Sequence, residues 1–499
     1  MIITVASKMI GFIREITLSY FYGVSNVSDA YFISLTIPVV IFSLIGIGIT
    51  TGYIPMYNRI EKDEGEYESH CFTNRLISSL VIICTIVILF VQLFAEPVVK
   101  LFASGFEGNI LLLAVQFTRL TVFGIYLTGI IAIFNGFLQI KNKFIISAVL
   151  GFVYNIFIIL SIYFSSKISI IILPVGSVIA LLVQLLLLLY FVLKEKMKLQ
   201  FVVDFRNKYI IDLGKITLPL IFSTSISQIG VLVDKTIASR IAIGGISALN
   251  YADRLNSFIL STVVMSISVV IYPVMAKAAA DKRHDDFKKV ISESTILISL
   301  LLIPSTVGAI IFATPLIKLL FERGAFDSQA ITLTSSALLF YSIGMLGIGL
   351  REILSRAFYS MQDTKIPVRN AAIGMILDII LNVILSRYLG IGGLALATSI
   401  AATITTVMLF ISLRKKIGPF GIKHISISFL KILIASLIMG VLSVLSFNSL
   451  KVVLSTNISL LLAIIIGVVS YFVIIYFMKI KDVDLVVDAI KKRCRRVLS

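Results

Sequence analysis

Runs of about twenty apolar residues recur from one end of this chain to the other, interrupted by short polar stretches. Each is long enough to cross a hydrocarbon layer roughly 30 Å thick as an α-helix. Their spacing predicts fourteen spans, over 1–21, 30–57, 75–95, 110–138, 145–164, 170–193, 214–239, 248–275, 291–312, 329–360, 367–388, 391–412, 426–446 and 457–478. The first run has neither a basic n-region nor a small-residue cleavage site, so it reads as a span rather than a leader. Composition agrees: 58% of the 499 residues are hydrophobic and 14% charged, with a mean hydropathy of +1.05. A soluble chain of this length divides into several domains and needs far more polar surface. The expectation is an all-α polytopic membrane protein.

Charge placement orients the spans. Of 44 Lys and Arg residues, thirty lie in loops after even-numbered spans or in the C-terminal tail, and seven in loops after odd-numbered spans. Such an excess marks the cytoplasmic side, which places both termini there. It also argues that the net charge of +18 serves topology rather than nucleic-acid binding. The cysteines predict no disulfide, because Cys71 and Cys494 fall on the cytoplasmic side and Cys84 within a span. His70, His284 and His424 all fall in loops, leaving no His-based metal site in the membrane. "DKRHDDF" (281–287) fits no ligand spacing and reads as a solvated loop. The tail "KDVDLVVDAIKKRCRRVLS" (481–499) is basic and amphipathic, suited to lying on the anionic inner leaflet.

The two halves of the chain echo each other. "FAEPVVKLF" (94–102) returns as "FATPLIKLL" (312–320), and Pro55 of "YIPM" returns as Pro273 of "YPVM", both at an offset of 218. Gly11-x-x-x-Glu15 returns as Gly230-x-x-x-Asp234 at 219, and Gly151-x-x-x-Asn155 as Gly374-x-x-x-Asp378 at 223. Four matches in order, with a slowly drifting offset, indicate duplicated bundles of six helices. Six is even, so both copies enter the membrane from the same side as parallel repeats. The expected organisation is a lobe over 1–208, a second lobe over 209–418, two additional spans over 419–480 and the tail over 481–499.

Seven cations remain in or at the edges of spans: Lys8, Arg14, Arg119, Lys235, Arg254, Arg351 and Arg356. On the first span Ser7, Lys8, Gly11, Arg14, Glu15 and Leu18 share a sector about 120° wide. An intramembrane charge costs several kcal/mol unless it meets a partner or water, so this stripe is expected to line a polar cavity. Plainer roles compete. Glu352 and Arg356 are spaced to pair with each other. Arg119 is placed to snorkel to an interface, Lys8 to pair with Glu15, and Asp29 and Asp253 to cap helix starts. Arg14 and Arg254 are harder to explain structurally, and a guanidinium is well suited to binding phosphate.

Four stretches then carry a family resemblance: "SKMIGFIREITLSYFYGVSNVSDAYFISLTIP" (7–38), "NYADRL" (250–255), "LFERGAFDSQAITLTSSALLFYSIGM" (320–345) and "RAFYSMQDTKIPVRNA" (356–371). They resemble the MurJ (MviN) family of lipid II flippases, within the multidrug/oligosaccharidyl-lipid/polysaccharide exporter superfamily. The resemblance implies a V-shaped pair of six-helix lobes with two extra helices grooved for a polyprenyl tail. It implies alternating access in a bacterial cell membrane, moving an undecaprenyl-pyrophosphate-linked disaccharide pentapeptide from the inner to the outer leaflet. Ser7, Arg14, Asp29 and Arg254 stand at positions the family uses in its cavity, and Lys8 where the family often has Arg. With Asp253 and Arg351 these form the candidate substrate-binding set. Phe42 and Ser257 stand where well-known members carry an Arg and a Glu. The alternative is therefore a flippase for another undecaprenyl-pyrophosphate-linked oligosaccharide, of the O-antigen or capsule type.

No acidic metal-binding motif, catalytic loop or G-x-x-x-x-G-K-[ST] sequence occurs, so neither an enzyme nor an ATP-driven pump is expected. Asp234, Asp378, Asn382 and Thr398 are hard oxygen ligands of the kind a small alkali cation takes. The resemblance raises sodium as that ion; the competing reading is pairing of Asp234 with Lys235 or Arg254 and a protonated Asp378. The expected partners are the membrane, the lipid-linked saccharide and proteins of cell-wall synthesis or division.

Overall fold

A computed structural model describes residues 2–478, so the amphipathic tail expected at 481–499 lies outside the described residues. Among those residues the chain forms seventeen helices. They are α1 (Ile2–Tyr22), α2 (Asn26–Glu64), α3 (Glu66–Leu93), α4 (Ala95–Phe102), α5 (Gly108–Thr121), α6 (Gly124–Ile140), α7 (Phe144–Lys167), α8 (Ile172–Lys194) and α9 (Lys208–Ile241). There follow α10 (Gly245–Ala280), α11 (His284–Ile311), α12 (Ala313–Phe321), α13 (Ser328–Ile343), α14 (Met345–Ser360), α15 (Lys365–Ile417), α16 (Ile422–Leu450) and α17 (Thr456–Phe477).

Among the described residues ten helical stretches, one of them α5 and α6 together, are long and apolar enough to cross a membrane, or up to twelve if two bent pairs each count as one span. That tally departs from the fourteen expected spans at two places. The first is α1, whose 21 residues carry Lys8, Arg14 and Glu15. The second is α15, whose 53 residues break at Gly390, with φ 57° and ψ −133°. At about 1.5 Å per residue α15 is far too long for one crossing. Its ends meet again: Lys416 pairs with Asp363 just ahead of the helix, and holds that carboxyl below the ordinary carboxylate range. Gly374 lies against Thr405, and Asn370 donates to the Ser412 hydroxyl at 3.4 Å, so the two halves run antiparallel. Gly390 takes the left-handed φ that side chains avoid, which is why the hairpin turns there.

The echoed stretches at 94–102 and 312–320 fall on α4 and α12. These have eight and nine residues, too short to cross. They are helical steps between a long span and the loop that follows each of them.

The chain packs as two compact units, Met1–Ser247 with Arg323–Ala330, and Ala248–Glu322 with the chain from Ile331 onward. In the first, Tyr53, Tyr57, Phe72 and Phe137 are fully buried, and the Tyr53 ring stacks on Phe72 with centroids 6.1 Å apart. Helix α9 belongs to this unit although the sequence repeat begins with it. Thr217 and Leu213 of α9 fill the space where Gly48 and Gly52 of α2 lack side chains. In the second unit α16 packs against α11 and α17, burying Ile432, Ala435 and Met439 with Tyr471 and Ile475. The Tyr471 hydroxyl donates to the Leu300 carbonyl at 2.6 Å.

Candidate functional site

In the first unit the charged stripe of α1 is built against α7 by small residues. A side chain at Gly151 would strike the Ser7 hydroxyl at 2.1 Å, and Gly11 faces the Asn155 amide at 3.5 Å. The two Gly-x-x-x motifs of the first repeat thus press α1 and α7 together, as small residues do between membrane helices. Further along α1, Arg14 donates to Glu15 at 2.5 Å, and its guanidinium lies 5.9 Å from the centre of the Tyr154 ring. The Arg14 side chain is 20% exposed and that of Glu15 only 3%. Glu15 therefore neutralises and orients the guanidinium, while Tyr154 gives it an aromatic face. Tyr31 of α2 completes the surroundings, its hydroxyl 2.7 Å from Ser177. Lys8 and Ser7 are half-buried on the same helix. Tyr154 is absent from the sequence-derived set, and its position beside Asn155 in the repeated motif is the signal that marks it.

Asp29 is engaged otherwise. It is 1% exposed and accepts the backbone N–H of Ser247, the third residue of α10, at 2.7 Å. A carboxylate there satisfies a donor that has no partner within the helix and meets the positive end of the helix dipole. Lys235 of α9 acts on the same carboxylate electrostatically. Of the two roles open to Asp29 in the sequence, the geometry presents capping, supplied from a different helix. Asp234 lies beside Lys235 on α9, half-buried. Phe42 packs toward Gly46 and Gly129, half-buried against the apolar core of this unit.

The second unit holds the other members. Asp253 and Arg254 are exposed on α10, and the Ser257 hydroxyl donates to Asp253 at 3.2 Å. Arg356 bonds Glu352 at 2.9 Å and lies 5.7 Å from the Tyr272 ring centre, so the structural pairing is realised. Arg351 is half-buried on α14, close enough to Asp378 for the two charges to interact. Asp378, on the first half of α15, hydrogen-bonds the side chains of Thr398 and Asn382. Its Oδ1 is buried with no hydrogen-bond partner among the described residues. No group of three or more His, Cys, Asp or Glu side chains suited to a metal occurs among the described residues. Arg119, in the first unit, is exposed.

Sequence reasoning missed a second polar constellation in the first unit. The loop after α4 reaches the end of α9. Gly105 donates its N–H to the Ser239 hydroxyl at 3.0 Å, Arg240 Nε donates to Ser104 at 2.7 Å, and Thr236 donates to the Leu101 carbonyl at 2.9 Å. The loop after α12 reaches the end of α1 in the same way, with Ala325 N–H donating to the Tyr20 carbonyl at 2.8 Å. A side chain at Gly105 would lie 2.3 Å from the carbonyl oxygen of Ser239, and one at Gly324 would lie 2.2 Å from that of Tyr20. Positions 20 and 239, and 105 and 324, are each 219 apart. The contact is one clasp made twice, the loop of each repeat gripping the first helix of the other. The offset already present in the Gly-x-x-x motifs was its only trace in the sequence.

The family model described as Lipid II flippase MurJ matches residues 18–478. A probable lipid II flippase MurJ of Vibrio cholerae is 28% identical over 444 residues, covering 85% of this chain and 82% of that one. A probable lipid II flippase MurJ of Thermotoga maritima is 26% identical over 482 residues, covering 96% of each. Among solved structures, one titled as lipid II flippase MurJ in an inward closed conformation superposes with a TM-score of 0.84 at 28% identity. It covers 97% of this chain and 99% of that one.

Proposed function

Because the chain belongs to the lipid II flippase MurJ family, we propose that it moves lipid II from the inner to the outer leaflet of a bacterial cell membrane by alternating access. The observation that carries the reading is a family match running through both repeats and both additional helices, from residue 18 to 478. The charge asymmetry of the loops supports a sidedness in which both termini and the basic loops face the cytoplasm and the clasps at Ser239 and Tyr20 face outward.

Lipid II presents three chemistries, a pyrophosphate, a sugar-peptide head and a long prenyl chain. Arg14, held by Glu15 and flanked by Tyr154, supports pyrophosphate binding, since a guanidinium fork matches phosphate oxygens bidentately. Arg254 and Arg351, with Ser7, Lys8 and Asp253, are the further polar groups assigned to the head. A cavity of about 350 Å³ in the second unit, lined by Leu300, Pro304, Phe312, Met439, Gly467 and Tyr471, suits the prenyl chain. It is bounded by α16 and α17, the helices outside the repeat, and its lining is almost wholly apolar. The test is reconstitution in vesicles with labelled lipid II on one face. Purified protein should expose the label on the other face, and depletion from cells should leave lipid II on the inner leaflet. Transport of a different undecaprenyl-pyrophosphate-linked oligosaccharide in preference to lipid II would replace this substrate with the alternative suggested by Phe42 and Ser257.

Sodium is proposed as the coupling ion. The unpartnered Oδ1 of Asp378, with the Thr398 hydroxyl and the Asn382 amide on the same carboxylate, fits a hard cation. A bound ion would supply the free energy of its gradient. A ligand that binds the native state alone stabilises it by about 2.7 kcal/mol at a hundredfold excess over Kd. The detergent-solubilised protein should therefore melt higher in sodium than in equimolar potassium, and Asp378→Asn should remove the difference. A melting point indifferent to the two ions would overturn the assignment.

A further inference from the structure

The transport reading leaves unused the segment that joins α8 to α9. Residues 197–204 have neither helix nor strand structure and lie against the third and fourth turns of α3. Met197, 2% exposed, is set into the core of the first unit. The Asn74 side-chain amide donates to the Lys198 carbonyl at 2.8 Å, and the Val202 N–H donates to the Ser78 hydroxyl at 3.0 Å. Asp204 lies 4.0 Å from Arg75. Between these fastenings Leu199, Phe201, Val203 and Phe205 are 41%, 71%, 44% and 46% exposed. Val202 between them is 37% exposed as well, so the segment presents five apolar side chains to its surroundings. Left in water, such side chains forgo the roughly 25 cal/mol per Å² that burial returns.

The attachment points fix the depth. Helix α3 carries Glu66, Glu68, His70 and Arg75 in its first ten residues and no charged residue from Leu76 to Leu93. Asn74 and Ser78 bracket that change, where headgroups give way to acyl chains. The segment is also basic. Lys194, Lys196, Lys198, Arg206 and Lys208 stand against Glu195 and Asp204, and Glu195 is already paired with Lys143 at 3.3 Å. Aromatic and aliphatic side chains between lysines, at this depth, are the composition of a surface that sits in the interface of an anionic leaflet.

We infer that residues 197–207 form an interfacial anchor: Leu199, Phe201, Val203 and Phe205 enter the inner leaflet, while the flanking lysines and Arg206 hold anionic phospholipid headgroups. The inference rests on the sidedness proposed above. It fixes to the bilayer the one stretch of chain that links the two repeats. The protein contains no tryptophan, so Phe201→Trp supplies a single emitter, and Tyr67→Trp, at a position 79% exposed in the first turn of α3, supplies a reference. In vesicles containing phosphatidylglycerol, Phe201→Trp should emit at shorter wavelength than Tyr67→Trp and lose most of its intensity to lipids brominated high on the acyl chain. Adding Lys196→Gln, Lys198→Gln and Arg206→Gln should reduce that quenching to the level seen in purely zwitterionic vesicles. Phe205→Trp repeats the measurement should Phe201→Trp fail to fold. Emission and acrylamide quenching equal to those of Tyr67→Trp would overturn the proposal and leave the segment to a protein partner. Quenching insensitive to phosphatidylglycerol and to the three substitutions would overturn the headgroup assignment. Quenching reports contact with the bilayer and not turnover, so its failure is separable from failure of the lipid II reading.

Discussion

Arg14→Ala is expected to lower lipid II transport by at least tenfold to a hundredfold, the equivalent of about 1.5–3 kcal/mol for a hydrogen bond to a charged group. It is also expected to destabilise the protein, by up to about 3–5 kcal/mol, because it takes the guanidinium away from the Glu15 carboxylate, which is 2% exposed. These two effects come apart in the double variant Arg14→Ala/Glu15→Gln. Removing the buried charge should restore most of the melting temperature and none of the transport. Arg14→Lys keeps the charge and loses the fork, so it should fold normally and transport poorly. Arg254 provides a contrast, since it is exposed and its removal should cost transport with a stability change within about 0.5 kcal/mol. A folded double variant that transports at the wild-type rate would reduce Arg14 to one half of a structural pair.

The second large effect is expected at the paired clasps. Gly324 has φ +62°, and a side chain there would overlap the Tyr20 carbonyl; at Gly105 it would overlap that of Ser239. Alanine at either glycine is thus incompatible with a closed clasp, and at Gly324 the strained φ alone costs on the order of 1–3 kcal/mol. In a background with the native cysteines replaced, Ser239→Cys reports on the first clasp. Gly105→Ala should speed its labelling by an impermeant thiol reagent by about tenfold, the equivalent of 1.4 kcal/mol. Transport should fall in the same variant, since the clasp no longer shuts. Labelling unchanged by Gly105→Ala would show that the clasp does not control access. The double Gly105→Ala/Gly324→Ala should act more strongly than either single variant, because the clasps are separate contacts.

Much of this architecture can be read from hydropathy, since lipid leaves a spanning segment few options other than a helix. The boundary expected between 388 and 391 falls on the turn at Gly390, because a span that exhausts the bilayer thickness must reverse. Charge at α1 was equally legible, since Lys8, Arg14 and Glu15 on one face of an apolar helix demand an explanation. Less of the site was legible. That Asp29 meets Ser247 cannot be seen from either local sequence, because 218 residues separate them. The clasp glycines look like any loop glycines until the carbonyl pressed against each is known. The packing boundary at Ser247 was hidden too. Duplication is a property of sequence order, whereas α9 packs against α2 through Gly48 and Gly52, two glycines without counterparts in any motif.

The doubled clasp has a consequence for the ancestry of the fold. When a loop of copy one grips a helix of copy two and the reverse holds at equivalent positions, the contact has the form of an isologous interface, in which one patch serves both partners about a twofold axis. A half-length ancestor carrying one Gly-containing loop and one first helix would have closed a homodimer with these two contacts. Fusion freed the halves to drift, and they have: Ser239 receives the N–H of Gly105 on a hydroxyl, whereas Tyr20 receives that of Ala325 on its backbone carbonyl. The steric requirement for glycine has stayed on both sides, while the polar half of the contact has become asymmetric.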